Sequence, residues 1–82
     1  MIIKSPYVTE KVTSMIDAVD TLEFLVNINA TKPQIKKALE DLYDINVLAV
    51  RTMITSQGEK KAVVKLAKEG SANELATRLG LL

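Results

Sequence analysis

The sequence predicts an α/β sandwich of the α+β class, in which helices pack on a four-stranded, mainly antiparallel sheet. Three observations lead to this prediction: segments in which apolar residues alternate, segments in which they recur every three or four positions, and turn or capping residues between those segments. The segments follow one another in the order β-α-β-α-β-β-α. The chain has 82 residues, so we expect a single domain, residues 1–82, around one core.

The first half of the chain is predicted to contain two strands and one helix. Residues 1–4 form a short strand that Ser5 and Pro6 should end. A helix should follow the N-cap Thr9. The apolar residues at helical spacing in this helix are Val12, Met15, Ile16 and Val19. Residues 21–28 alternate as a strand does, with an apolar face made of Leu22, Phe24, Val26 and Ile28.

The second predicted helix is the clearest element of the chain. Thr31 and Gln34 fit a capping box, and Pro33 lies in the first turn, where the missing N–H costs no helical hydrogen bond. The apolar stripe of this helix consists of Ile35, Ala38, Leu39, Leu42 and Tyr43. The whole connection is long enough for a right-handed crossover between parallel strands.

The second half is predicted to contain a β-hairpin and a last helix. Residues 47–55 are rich in β-branched side chains, and a short turn at residues 56–59 leads into a further strand. Ser71 and Glu74 fit a second capping box, and Gly80 should end the helix that follows.

The strand of residues 60–66 gives the first indication of function. Its core-facing residues are Ala62, Val64 and Leu66, and its outward-facing residues are Lys61, Val63 and Lys65. Two cations that a rigid sheet holds at fixed spacing suit a regular polyanion. An ordinary amphipathic strand kept soluble by lysines is the commoner origin of the same pattern.

Composition excludes several classes of protein. The chain has no cysteine and no histidine, so disulfides, thiolate metal sites and the usual acid–base catalyst are absent. Its three glycines are too dispersed for a phosphate-binding loop. No apolar run approaches the ~20 residues that span a bilayer, and the N-terminal residues lack the apolar core of a signal peptide. We therefore predict a cytoplasmic protein that is not an enzyme, with no cofactor, no metal, no small-molecule substrate and no membrane insertion.

Charge is distributed unevenly, although the net charge is only +1. Lysines form two clusters, one at Lys32, Lys36 and Lys37 and the other at Lys60, Lys61, Lys65 and Lys68. In the second helix the lysines lie at the N-terminal end and the acids at the C-terminal end, which is the reverse of what the helix dipole favours. We predict one positive face that meets phosphate; the alternative is a solvated helix face.

Two motifs resemble those of a known family. Residues 6–11, with the sequence Pro-Tyr-Val-Thr-Glu-Lys, resemble the N-terminal motif of the universal large-subunit ribosomal protein twenty-three. Residues 60–67, with Leu75 after a spacer, resemble the signature of that family near its C-terminus, and the helical residues 31–43 also fit. The resemblance covers nearly the whole chain.

The resemblance implies a structural constituent of the large ribosomal subunit that binds the third domain of the large-subunit rRNA. It also implies a place at the rim of the polypeptide exit tunnel, beside large-subunit protein twenty-nine. Nascent-chain factors dock there in this family: signal recognition particle, the Sec translocon and, in bacteria, trigger factor. The glutamate associated with docking corresponds to Glu10. Bacterial members have a long basic hairpin where this chain has only residues 56–59, so the short archaeal form is indicated, without trigger factor and without a reach into the tunnel.

The cations predicted to bind RNA are Lys4, Lys11, Lys32, Lys36, Lys37, Arg51, Lys60, Lys61 and Lys65. They should contact phosphates rather than read bases, because Phe24 and Tyr43 belong to apolar faces and Tyr7 to a turn, which leaves no aromatic platform for stacking. From the residues alone, two other functions stay open. One is a protein-interaction or regulatory α/β module that binds a partner at a sheet edge; the other is a small hydrolase, which the missing histidine and cysteine disfavour.

Overall fold

The computed structural model describes residues 1–7, 16 and 19–81. Within them the chain forms strands and helices with the bounds β1 (Ile3–Pro6), β2 (Thr21–Val26), α1 (Lys32–Tyr43), β3 (Val47–Ile54), β4 (Lys60–Leu66) and α2 (Ser71–Arg78). The predicted helix after Thr9 lies outside the described residues, apart from Ile16, which is buried in the core, and Val19, which is 46% exposed.

The strands form one sheet in which every pair of neighbours is antiparallel. Their order is β1-β2-β4-β3, so β2 and β4 are central and β1 and β3 are the edges. Because β2 and β3 are each antiparallel to β4, they run in the same direction on either side of it, as a crossover through α1 requires. The predicted α+β sandwich with a mainly antiparallel sheet is confirmed.

The two faces of the sheet differ because side chains alternate along each strand. Both helices pack on one face, here called the inner face, where the buried residues are Ile35 and Leu39 of α1, Ala72, Leu75 and Ala76 of α2, Leu22, Phe24 and Val26 of β2, and Ala62, Val64 and Leu66 of β4. Burial of a Phe or Leu side chain contributes about 1.5–3 kcal/mol, so this layer supplies most of the stability. The alternation predicted for β4 is thereby confirmed.

Neither α1 nor α2 packs on the opposite side of the sheet, here called the outer face. Its residues are Thr21, Glu23 and Leu25 of β2, Ala49, Arg51 and Met53 of β3, and Lys61, Val63 and Lys65 of β4. The central residues of this face, Thr21, Glu23 and Val63, are nonetheless between 5% and 7% exposed. The outer face thus has a dry centre with cations around it.

α1 begins as the sequence predicts. The Thr31 hydroxyl accepts a hydrogen bond from the Gln34 N–H at 3.3 Å, and the Gln34 side-chain oxygen accepts one from the Thr31 N–H at 2.9 Å. This reciprocal capping box satisfies N–H groups that have no partner within the helix. The helix ends at Asp44, whose N–H donates to the Glu40 carbonyl at 3.0 Å.

α2 is capped in a way that the sequence does not reveal. Gly70 is its N-cap, with a φ of 80°, and no side chain of the predicted Ser71–Glu74 box caps the helix, so that prediction is wrong. Glycine adopts this left-handed conformation without strain, which places Ser71 inside the first turn. The Asp20 carboxylate accepts a hydrogen bond from the Ala72 N–H at 3.4 Å instead. Asp20, the residue before β2, therefore stabilises the start of α2, the helix that follows β4.

Two strand ends differ from the prediction. Ser5 and Pro6 belong to β1 rather than ending it, because β1 is an edge strand and an edge position tolerates a residue without a backbone donor. β2 ends at Val26, and Ile28 lies in the following turn with half of its surface exposed.

The helix ends show one success and one error. Gly80, with a φ of 76°, follows the last turn of α2 as predicted, and the next N–H returns to the Ala76 carbonyl at 2.9 Å. In α1, however, Leu42 is 60% exposed although its spacing puts it on the apolar stripe. Tyr43 takes the contact instead and stacks on Phe24 with 6.1 Å between ring centroids.

Candidate nucleic-acid interface

The cations predicted to bind RNA do not share one face. Arg51, Lys61 and Lys65 lie on the outer face, and Lys32, Lys36 and Lys37 lie on α1, which packs on the inner face. Lys4 is exposed on the edge strand β1, while Lys11 and the predicted docking residue Glu10 lie outside the described residues. Strand alternation and the helix layer place these cations on both sides of the sheet, although the groove beside Lys32 and Lys36 shares Ala49 with the outer face. The predicted positive face that meets phosphate stays a prediction.

Lys60 is tied to the fold rather than offered to a ligand. Its Nζ donates a hydrogen bond of 2.7 Å to the carbonyl of Ala30, just before α1. The side chain is half-buried and shares the inner-face parity of Ala62. Lys60 thus joins the start of β4 to the start of α1.

Lys61 is tied to the fold by an ion pair on the outer face. Its Nζ lies 2.9 Å from Oε1 of Glu23, with 20% of the lysine side chain and 5% of the glutamate side chain exposed. The same ammonium lies 5.3 Å from the centre of the Tyr7 ring, a cation–π distance. Glu23 Oε1 is buried and has no hydrogen bond of good geometry, so Lys61 is its charge partner. A lysine held in this way is a poor ligand for a further anion.

Arg51 and Lys65, in contrast, are free cations. Both are exposed on the outer face, and neither has a hydrogen-bond or ion-pair partner in the part of the chain that the structure describes. Arg51 lies directly across from Val63 on the adjacent strand, and Lys65 lies two residues further along β4. Both side chains are therefore neighbours of Val63 on the outer face and are accessible to an anion.

The N-terminal half of α1 is the second cationic region. Lys32, Lys36 and Lys37 are exposed, and no acid lies in the first turn. Lys32 and Lys36 border a groove of about 290 Å³ between α1 and β3. Glu40, one turn after Lys36, forms no ion pair with it; its Oε2 accepts a hydrogen bond of 3.0 Å from the Val47 N–H.

The described residues offer no catalytic centre. They include no group of three or more acidic, histidine or cysteine residues that could hold a metal ion. No helix among them is long and apolar enough to cross a membrane. Two depressions, one between α1 and β3 and one on the outer face, are each lined by two basic side chains and several aliphatic ones, which suits binding to an extended anionic surface.

Sequence reasoning missed the partner that distinguishes Lys61 from Lys65. Glu23 is the one acid in the alternating segment of β2, which was a signal that an outward-facing charge needs a partner. The partner depends on the β2–β4 register, in which Leu25 is opposite Lys61 and Glu23 is one diagonal step away. That register joins residues distant in sequence and cannot be obtained from local patterns.

Within the described residues, an all-antiparallel sheet with α1 and α2 on one side and exposed cations on both sides defines a small α+β protein. The family model described as "Ribosomal protein L23" matches residues 1–74 of the chain. A protein of Halobacterium salinarum called "Large ribosomal subunit protein uL23" is 45% identical over 80 residues, which cover 98% of this chain and 95% of that protein. The chain belongs to the ribosomal protein L23 family.

Family membership confirms the predicted family and its role in translation, and it places the protein on the cytoplasmic ribosome. The family is a structural component of the ribosome, which agrees with the prediction of a non-enzymatic protein. Family membership does not test the role of any individual side chain. The roles of the cations and of Glu10 are therefore proposals, developed below.

Proposed function

We propose that this protein is a structural constituent of the large ribosomal subunit that binds the third domain of the large-subunit rRNA through backbone phosphates. The observation that carries the proposal is the pair of exposed cations, Arg51 and Lys65, which have no partner within the described residues. Unneutralised cations beside a dry surface attract phosphate and release counterions when they bind it.

The structure narrows the set of cations that take part. Lys60 and Lys61 would have to give up a carbonyl and a carboxylate to meet phosphate, so their role is to hold the fold. The proposed RNA ligands among the described residues are Lys4, Lys32, Lys36, Lys37, Arg51 and Lys65, which are all exposed. Lys11 keeps the role that its motif implies. Because the cations lie on two sides of the sheet, we propose that separate rRNA segments contact the protein on each side.

We also propose that the protein forms part of the exit-tunnel rim, beside large-subunit protein twenty-nine. The β3–β4 turn is supported by a hydrogen bond of 2.7 Å from the Thr55 N–H to the Glu59 carbonyl and one of 2.9 Å from the Gly58 N–H to the Thr55 carbonyl. A turn this tight cannot extend into the tunnel. The proposed docking partners are therefore signal recognition particle and the Sec translocon at the outer rim, with Glu10 as the contact residue.

Salt-dependent binding tests the RNA part of the proposal. Purified protein should bind a fragment containing the third rRNA domain, and the logarithm of affinity should fall with the logarithm of salt concentration with a slope of about −3 to −5, the value for roughly five phosphates. Lys68→Gln, outside the proposed set, is the matched control. The protein should also sediment with large subunits at high salt. A chain that shows no affinity for rRNA and sediments alone would instead be a protein-interaction module.

A further inference from the structure

The outer face contains a depression that phosphate binding alone does not use. It has a volume of about 330 Å³ and lies across β2, β4 and β3. Its lining residues are Val19, Thr21, Ala49, Arg51, Val63 and Lys65. Three of the six are aliphatic, and the two cations are the free pair described above. We call this depression the outer-face pocket.

We propose that the outer-face pocket takes one unpaired nucleotide of the rRNA. The base lies against the aliphatic residues and the plane of the Arg51 guanidinium, and the phosphate lies beside the Lys65 ammonium. The inference rests on the proposed function, since it presumes that rRNA reaches this face. It goes beyond it by assigning a base-binding site where the sequence predicted contacts to the backbone alone.

Charge identifies the occupant as anionic. Arg51 and Lys65 lack partners among the described residues, and the nearest acid on the face, Glu23, is already matched by Lys61 at 2.9 Å. Within the described residues, an anion that enters the pocket therefore meets two unpartnered cations, and no lining residue is acidic. Such an arrangement favours a phosphate-bearing ligand over a neutral one.

The apolar lining identifies the occupant as a base rather than a double helix. A duplex presents phosphates and hydroxyls to a protein surface and cannot fill a concave aliphatic site, whereas an unpaired base can be splayed out and stacked. Arginine serves as a stacking plane as well as an aromatic ring does. Base binding in this pocket therefore needs no exposed aromatic residue, so the lack of an aromatic platform does not exclude it. A volume near 300 Å³ is at the lower end for small-ligand sites and suits a single group.

Filling the pocket separates base binding from charge. Ala49→Phe places a ring in the pocket without changing any charge, and Met53→Phe is the matched control on the same face of β3 but outside the lining. Ala49 also lines the groove beside Lys32 and Lys36, where a lost phosphate contact would lower the salt slope. We expect the affinity of Ala49→Phe for the rRNA fragment to fall about tenfold, as the loss of one stacked base predicts, with an unchanged salt slope. Met53→Phe should bind like the wild type. Equal binding by both variants would overturn the pocket assignment while the salt slope of the wild type upholds the proposed function.

Two further measurements decide the case if Ala49→Phe does not fold. Arg51→Lys keeps the charge but removes the stacking plane, so we expect about fivefold weaker binding with the same salt slope; undiminished binding would refute base stacking. A photoreactive benzophenone side chain at position 49, introduced into assembled large subunits, should cross-link to one rRNA nucleotide. Cross-linking to a protein alone would mean that the pocket holds a peptide. A wild-type chain without rRNA affinity would overturn the pocket and the proposed function together.

Discussion

The two ends of the outer face both carry basic side chains, but these are paired at one end and unpaired within the described residues at the other. At one end, Lys61 is fixed between the Glu23 carboxylate at 2.9 Å and the Tyr7 ring at 5.3 Å. At the other, Arg51 and Lys65 extend without a partner in the described part of the chain. Lys61 and Lys65 look equivalent in sequence because both flank Val63 at the same parity. The cross-strand neighbour decides which lysine stabilises the fold and which remains free for a ligand.

The difference shows that a count of lysines overstates the binding surface. A buried or half-buried ion pair has its charge already matched, and moving the cation to a new anion exposes an unpaired carboxylate. A free surface cation loses only hydration and side-chain entropy when it meets phosphate. Substitutions at the two ends should therefore separate stability from RNA affinity.

The largest expected effect is on stability, from Lys61→Met. Removal of the ammonium leaves the Glu23 carboxylate, which is 5% exposed, without a charge partner, so we expect the free energy of unfolding to fall by about 2–3 kcal/mol, somewhat less than for a fully buried pair. Urea denaturation followed by circular dichroism measures this loss. The double variant Lys61→Met/Glu23→Gln should recover most of it. If the single variant were as stable as the wild type, the ion pair would contribute nothing to stability, and the contrast between the two ends would disappear.

A smaller effect is expected from Lys60→Met. The methionine keeps the aliphatic stem but loses the 2.7 Å hydrogen bond to the Ala30 carbonyl, which leaves a carbonyl on a buried residue without that donor. We expect a loss of about 1 kcal/mol in the free energy of unfolding, the usual value for one hydrogen bond. The same denaturation experiment checks it, with exposed Lys37→Met of α1 as the control that should change stability by less than about 0.5 kcal/mol. Similar losses in both variants would argue against a specific role for Lys60.

The fold was predictable where local chemistry determines it. The reciprocal bonds of Thr31 and Gln34 and the left-handed Gly80 depend on residues close in sequence, and both were found from spacing alone. The alternation in β4 was equally clear. The cap of α2 was not, because the donor Ala72 and the acceptor Asp20 are brought together by the whole sheet.

The sequence predicts which residues of the candidate site are cationic but not how the structure arranges them. The sequence identifies which residues are cationic, and those named as RNA ligands within the described residues are mostly exposed. It does not reveal that Lys60 and Lys61 are engaged, since Ala30 and Glu23 reach them through long-range pairing. Nor does it reveal the outer-face pocket, which requires residues of three strands in register.

The smallest effect on stability, and the clearest on binding, is expected from Arg51→Gln and Lys65→Gln. Both side chains are exposed and have no partner among the described residues, so each substitution should change the free energy of unfolding by less than about 0.5 kcal/mol. Each should nevertheless reduce the magnitude of the log–log salt slope of rRNA binding by about 1, because each removes one positive charge that neutralises the bound RNA backbone. The folded double variant Lys61→Met/Glu23→Gln is the reciprocal control and should keep the wild-type slope. If that variant lowered the slope while Arg51→Gln and Lys65→Gln did not, the engaged lysine would be the RNA ligand and the assignment of the two ends would be reversed.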